Sequence, residues 1–300
     1  MVAGPAGVAF AWLLARPDGP DPSAVVRVFA DILGATVLGL CTLDLLQRGE
    51  RRRAVPRSRL WRPLAVAAAL WALTEVVLLV AAAAETAETA AGTLTPGEFG
   101  RFVGEISVGR LGAAAIVCTA AIAVTAAMAY RRDAEWSPAP IAAVAALALL
   151  ARPVTGHMSA QALGSLLVAA HTLTAAVWLG PLLAMALLLR GRGAWATVLP
   201  RYSDLAWKCV AVLTVTGVAD AAVALGGIGA LVDTGYGRVL LAKALCLAGL
   251  IALGWWWRRH WVPAATTHRS PESDSLRNAA VEVTALAFVF GLAAALATTG

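Results

Sequence analysis

The chain has 300 residues, of which 60% are hydrophobic and only 14% are charged, and its mean hydropathy is +0.75. Because soluble domains usually carry about 25% charged residues, this composition excludes an ordinary soluble globular protein. A net charge of +6 would also suit a nucleic-acid-binding protein, but in so apolar a chain it points to basic loops on the cytoplasmic side of a membrane, and we expect no nucleic-acid partner.

Apolar segments follow one another along the whole chain, and most approach the roughly 20 residues that a helix needs to cross a bilayer. The first segment is short. The sequence predicts an all-α, polytopic transmembrane helical bundle of about eight or nine spans. We divide it into N-terminal spans 1–5 (residues 1–153) and a core of spans 6–9 (residues 154–300). The segments cover residues 3–15, 24–46, 63–84, 108–130, 139–153, 160–189, 207–225, 237–257 and 278–297.

The loops between these segments alternate in charge. Basic residues concentrate in every second loop, which places all the basic loops on one side. The positive-inside rule makes that side cytoplasmic, so we expect a multi-pass protein of the inner (plasma) membrane with a cytoplasmic N-terminus. The basic loops are 47–62, 131–136, 190–208 and 258–277, and the others are 16–23, 85–100, 152–157 and 226–237.

Ionisable side chains within the predicted spans are costly in lipid and usually face the interior of a bundle. Asp220 and Lys243 lie at similar depths, each about 9 Å below the outer surface at 1.5 Å per residue. We interpret them as an ion pair, and Asp31 is the other candidate partner of Lys243. Glu75 has no basic residue at its depth in the adjacent spans, so burial favours its neutral form.

Three charged residues have simpler interpretations. Arg110 and Arg152 stand near the outer ends of their spans, where we expect long side chains to extend to the membrane surface. Glu282 stands in the inner half of the last span, where we expect it to pair with arginines of the cytoplasmic loops.

Two histidines occur in the apolar stretch TGHMSAQALGSLLVAAHTLTAAVWLG, residues 155–180. His157 is placed at the outer mouth and His171 near the midplane, about 21 Å apart along a continuous helix, so they hold one ion together only if the chain bends sharply. His171 has two interpretations, a packing residue bonded to a neighbouring helix or a ligand of a metal or haem, because imidazole suits Cu, Zn or Fe. Trp178 lies on the same helical face.

Four stretches of the sequence follow one another in the order of a known family. They are TGH followed by HTLTAAVWLG, RYSDLAWKCVAVLTVTGVADA (201–221), TGYGRVLLAKALCLAGLIALGWWWRR (234–259) and LRNAAVEVTALAFVFGLAAALA (276–297). This series resembles the copper resistance D (CopD) family in its actinobacterial form. The resemblance runs from about Thr155 to the end, and the upstream part resembles the family only in its pattern of spans.

The resemblance implies a polytopic inner-membrane protein of copper uptake or tolerance, with a copper ion as its ligand. It also implies an extracytoplasmic copper-binding partner of the CopC type. Some relatives are fused to a cytochrome oxidase assembly domain, which suggests an oxidase assembly factor as a further partner. Membrane lipid is the other expected partner. The family positions carried over to this sequence are His157, His171, Trp178, Tyr236, Arg238, Lys243 and Glu282.

Met158 stands next to His157 and completes the expected copper ligands, His157, His171 and Met158. Two positions depart from the family pattern. Pro181 replaces a second glycine and removes a helix hydrogen bond, and Asp220 stands where asparagine is common, which adds a carboxylate near Lys243.

Three functions remain open on the sequence. The first is copper transport, the most concrete reading of the resemblance, with import through an outward-facing site in which His157 receives copper and His171 holds it. The second is a non-transporting scaffold that delivers copper to an oxidase. The third is a b-type haem protein with His171 as an axial ligand. The sequence carries no ATP-binding or phosphorylation-site motif, so we expect no enzyme and no primary pump, and transport would be passive or proton-coupled.

Overall fold

The computed structural model describes residues 2–16, 19–50, 52–153, 162–224 and 229–298. Every regular element within these ranges is helical, which confirms the all-α prediction. The helices are α1 (Ala3–Leu14), α2 (Ser23–Leu46), α3 (Ser58–Thr86), α4 (Pro96–Glu105), α5 (Ser107–Arg131), α6 (Ala139–Leu150), α7 (Ala162–Leu188), α8 (Arg192–Ala224), α9 (Ala230–Asp233), α10 (Gly235–Thr266) and α11 (Glu272–Leu296).

Seven of the described helices, α2, α3, α5, α7, α8, α10 and α11, are long and apolar enough to cross a membrane. Helices α1 and α6 are also apolar but have only 12 residues each. A helix of that length spans about 18 Å, which is less than the roughly 30 Å of hydrocarbon in a bilayer. The protein is therefore a polytopic helical bundle in which two short helices accompany the longer spans.

Helix α2 lies in the middle of the bundle and packs against α1, α3, α6, α7 and α11. Its Gly39 approaches Gly180 of α7 so closely that a Cβ atom on either glycine would overlap the backbone of the other helix. Small residues permit such close crossings between membrane helices. This crossing joins the predicted N-terminal spans directly to the helix that carries His171.

The basic loops gather at one end of the bundle, which we call the basic end. Arg57, just before α3, donates to the carbonyl oxygen of Glu135, just before α6, at 3.2 Å. The backbone N–H of Gly191, just before α8, donates to Glu272 at the start of α11 at 2.7 Å. Arg201 of α8 donates to the carbonyl oxygen of Arg48 at 3.3 Å, which links these two pairs of basic loops.

Several segments that we predicted as loops contain helical residues. Most of 190–208 belongs to α8, which begins at Arg192. Helix α4 begins at Pro96, within the predicted loop 85–100, and its first turn is a capping box in which Thr95 and Glu98 bond each other's side chain and backbone. Hydrogen bonds from the hydroxyl and the backbone N–H of Thr95 hold the pKa of Glu98 below its usual value. The sequence TPGE carries this signal, because it places Pro96 at the first helical position.

Candidate functional site

His171 of α7 is bonded to the neighbouring helix α8. Its Nδ1 atom lies 2.8 Å from Oγ1 of Thr216, and the same hydroxyl lies 2.9 Å from the carbonyl oxygen of Val212, one turn earlier. A hydroxyl has one proton to donate. If Thr216 gives it to Val212, its oxygen accepts from Nδ1–H of His171, and Nε2 keeps the lone pair that a metal ligand requires.

The imidazole of His171 lies against a glycine of α8. A Cβ atom added to Gly217 would lie 3.6 Å from Cε1 of His171, so a residue without a side chain lies against the ring edge between the two nitrogens. The bond to Thr216 is the one hydrogen bond that His171 makes with the described residues. The arrangement therefore fixes the ring through one nitrogen and leaves the other without a described protein partner.

Lys243 of α10 and Asp220 of α8 belong to the same polar region. The charge of Lys243 acts on both His171 and Asp220, and the charge of Asp220 acts on Tyr236. Asp220 and Lys243 attract each other but do not form the predicted ion pair, because none of the ion pairs among the described residues joins them, and Oδ1 of Asp220 has no hydrogen-bond partner there. Similar depth along two helices brings side chains to one level of the membrane without bringing their ends into contact.

Arg152 lies just after α6 and points into the bundle, where it pairs with two carboxylates. It donates to Oδ1 of Asp31 at 2.9 Å and to Oε2 of Glu75 at 3.0 Å. Trp71 donates its indole N–H to the other oxygen of Glu75 at 2.8 Å. Three expectations are therefore wrong: Arg152 does not extend to the surface, Glu75 has a basic partner, and Asp31 pairs with Arg152 and not with Lys243. The long arginine side chain reaches carboxylates that lie deeper in the spans than its own backbone.

Arg27 completes this cluster and is a residue that the sequence analysis missed. It stands one turn before Asp31 on α2, and its charge interacts with Asp31, Glu75 and Arg152. Its Nε atom is buried without a hydrogen-bond partner among the described residues. The two arginines and two carboxylates balance in formal charge. The spacing of four residues between Arg27 and Asp31 was the sequence signal that could have identified Arg27 as part of the cluster.

Arg238 holds the start of α10 against the end of α1. Its Nε atom donates to the carbonyl oxygen of Leu14 at 2.7 Å, and a terminal nitrogen donates to that of Arg16 at 2.9 Å. These bonds satisfy carbonyl groups at the end of a helix, which lack helical partners. Arg238 therefore anchors the helix that carries Lys243.

Glu282 of α11 is only 6% exposed and does not pair with the arginines of the basic loops, contrary to our expectation. The hydroxyl of Tyr202 lies 3.3 Å from Oε1 of Glu282 and 3.3 Å from the carbonyl oxygen of Trp178. Glu282 lies about 15 Å along α11 from the first residue of that helix. Its carboxylate therefore lies well away from the helix end, in the bundle interior. Trp178 itself is buried, with 5% of its surface exposed.

His157 and Met158 lie outside the described residues, as does the rest of 154–161. Within the part of the chain that the structure describes, no three or more His, Cys, Asp or Glu side chains are grouped as a metal site. The described spans thus contribute one oriented imidazole, that of His171, and not a closed set of ligands.

The fold and these side chains define a polytopic helical membrane protein with polar groups buried between its spans. Two family models match the sequence: Copper resistance protein D over residues 196–296 and the Copper resistance protein D-like, N-terminal domain over residues 21–162. The chain belongs to the copper resistance protein D family and is a membrane protein of copper resistance. The second match shows that the likeness upstream of Thr155 extends beyond the pattern of spans. No curated protein and no solved structure matches the chain significantly.

Proposed function

We propose that the protein imports copper across the cytoplasmic membrane and that Nε2 of His171 holds the ion within the bundle. The observation that carries this proposal is the hydrogen bond between Nδ1 of His171 and Thr216. A bond at one imidazole nitrogen sets the tautomer and orientation in which the other nitrogen binds metal. Membership of the copper resistance family supports copper as the cargo, and imidazole is an acceptable Cu(I) ligand.

His157 and Met158 are proposed to receive copper at the outer mouth. They follow closely after Arg152, whose ion pairs tie the end of α6 to α2 and α3. The segment that carries them therefore starts from a fixed point in the bundle. Polar side chains at this end, and His171 deeper in α7, would form successive stations on one route.

A single imidazole suits a transported ion better than a permanently bound one. A conducted ion must bind well enough to enter the protein and weakly enough to leave it. A structural metal site would instead have a closed set of ligands that holds its ion permanently. We therefore assign copper to the protein as cargo.

The basic end of the bundle is proposed to face the cytoplasm, as the positive-inside rule requires. His157 and Met158 then face outward, where a CopC-like copper-binding protein would deliver the ion. A cytochrome oxidase assembly factor is a proposed recipient on the copper delivery route. Residues 1–153 and 154–300 are proposed as the two parts of the transporter.

One preparation of purified protein in proteoliposomes tests this function against its two alternatives. We expect Cu(I) influx well above that of protein-free vesicles. Bound copper without influx would instead support the scaffold. A Soret band in the optical spectrum would support the haem protein, for which the described spans offer only His171 as a histidine ligand, since His260 and His268 stand near the basic end.

A further inference from the structure

A second buried polar site lies nearer the basic end than His171. It is a cavity of about 40 Å³ between α8, α10 and α11, with Trp178 of α7 in its wall, and Tyr202, Trp257, Arg258 and Glu282 also line it. A cavity needs about 10–15 Å³ to hold one water molecule. The space is therefore large enough for water beside a buried carboxylate.

Two indole N–H groups of this cavity lack the hydrogen-bond partners that water would supply. The indole N–H groups of Trp178 and Trp257 have no hydrogen-bond partner among the described residues. Trp178 faces the carboxylate of Glu282 but makes no hydrogen bond of normal geometry with it. Buried donors are costly when unpaired, and a water molecule can accept from an indole while it donates to Glu282.

We propose that Glu282 is a proton-binding site, reached through water in this cavity from the basic end, and that its proton is exchanged during copper transport. In the binding step a hydronium ion gives a proton to an oxygen of Glu282. One O–H bond breaks, another forms, and the carboxylate loses its charge. The role in transport depends on the proposed function, whereas the proton-binding site is inferred from the cavity and its polar groups alone.

Tyr202 allows Glu282 to change its charge without losing its partner. The hydroxyl lies 3.3 Å from both Oε1 of Glu282 and the carbonyl oxygen of Trp178, so its one proton can go to either acceptor. When Glu282 is ionised, Tyr202 donates to the carboxylate. When Glu282 is protonated, Tyr202 donates to Trp178 and accepts from the acid.

The charged groups around the cavity leave Glu282 free to titrate. Arg258 of α10 lines the cavity, but its guanidinium is bonded to Asp204 at 2.7 Å and to Ser203 at 3.2 Å. From α8, Tyr202 contacts Glu282, Cys209 lies near Tyr202, and Asp204 is held by Arg258. Among the described residues, no charged group of α1, α2, α7 or α10 forms an ion pair with Glu282. Its ionised form is thus balanced by hydrogen bonds and not by a fixed cation.

Helix α7 connects the proton site to the copper site. Trp178 stands about 10 Å along α7 from His171, on the same face of the helix. Trp178 of α7 forms part of the cavity wall, so a change of charge at Glu282 is felt by the same helix that carries His171.

Infrared difference spectroscopy of the purified protein across a pH titration tests the site without copper. We expect a carboxylic acid band that appears on acidification and is lost in Glu282→Gln. Glu98→Gln, which changes an exposed glutamate and keeps the capping hydrogen bond, should retain the band. Tyr202→Phe should shift the midpoint of the titration. The same band in Glu282→Gln, or an unchanged midpoint in Tyr202→Phe, would overturn the proposal.

Copper flux in proteoliposomes tests the role in transport. Wild-type influx should change with the pH on the basic-end side, and Glu282→Gln should lose that dependence while Glu98→Gln keeps it. A pH dependence retained in Glu282→Gln would overturn the role of Glu282 in transport and leave copper import standing. If the wild-type protein shows no copper flux, the proposed function is contradicted. The infrared titration would still determine whether Glu282 binds a proton.

Discussion

The Nδ1 atom of His171 and the hydroxyl of Thr216 lie 2.8 Å apart across the interface of α7 and α8. This bond combines the two interpretations that the sequence left open for His171. One nitrogen packs the histidine against a neighbouring helix, and when it donates its proton to Thr216 the other keeps the lone pair that a ligand needs. Thr216 is thus proposed as a positioning residue for the copper site.

We expect Thr216→Val to weaken Cu(I) binding by about 10–100-fold, the usual effect of removing a partner that orients a metal ligand. Valine keeps the shape of the side chain but cannot accept from Nδ1–H. Competition with a Cu(I) chelator measures the affinity. Thr214→Val is the matched control, because its hydroxyl bonds only the carbonyl oxygen of Val210 within the same helix. Equal affinities for Thr216→Val and wild type would contradict the positioning role.

Lys243 should oppose the binding of a cation at His171, because its charge acts on the imidazole. Removing a nearby charge in the membrane interior is worth about 1–2 kcal/mol, so we expect Lys243→Met to raise Cu(I) affinity by a factor of about 5–30. Lys208→Met, which removes an exposed lysine of α8, should leave the affinity unchanged. Weaker binding by Lys243→Met would show that the lysine supports the site.

Arg152→Met should lower the free energy of unfolding by about 3–5 kcal/mol, because it removes the cation that is bonded to Asp31 and to the buried Glu75. Glu75, which is 3% exposed, would carry most of this cost. Adding Glu75→Gln should recover part of the loss, and Arg110→Met, at an exposed arginine, should change little. Unfolding in detergent measures these differences. Strictly additive losses in the double variant would contradict the pairing.

Gly180→Ala should destabilise the protein by about 1–3 kcal/mol or more, because a Cβ atom there would overlap the carbonyl oxygen of Ala35 and overpacked sites must shift. Gly249→Ala is the control, since nothing lies within 4 Å of its Cβ position, and alanine favours the helix by up to about 1 kcal/mol. The same unfolding measurement applies. Equal stabilities for the two variants would show that α2 and α7 are not held at this crossing.

The sequence predicted the helices and the depth of their polar residues, because both follow from apolar length and a fixed rise per residue. It could not predict which polar residues meet. Pairing also depends on how the helices are rotated and how far each side chain reaches. For this reason Glu75 gained a partner in Arg152, whereas Asp220 and Lys243, at one level, do not touch.

The hydrogen-bond partner of His171 could not be predicted from the sequence for the same reason. Thr216 is an ordinary threonine in an apolar segment, 45 residues away along the chain, and no sequence pattern marks it. The capping box at Thr95 is a different case. Its signal was local and complete in the sequence, so α4 was predictable from the motif alone.

Copper influx by the His171→Asn protein, reconstituted at wild-type levels, tests the central claim most directly. Asparagine can still hydrogen-bond a neighbouring helix but is a poor ligand for Cu(I). We predict that this variant folds and loses copper influx, as His171→Ala does, while His157→Ala is impaired mainly at limiting copper. Full influx by a well-folded His171→Asn protein would show that His171 only packs against α8 and would contradict the claim that it binds the transported ion.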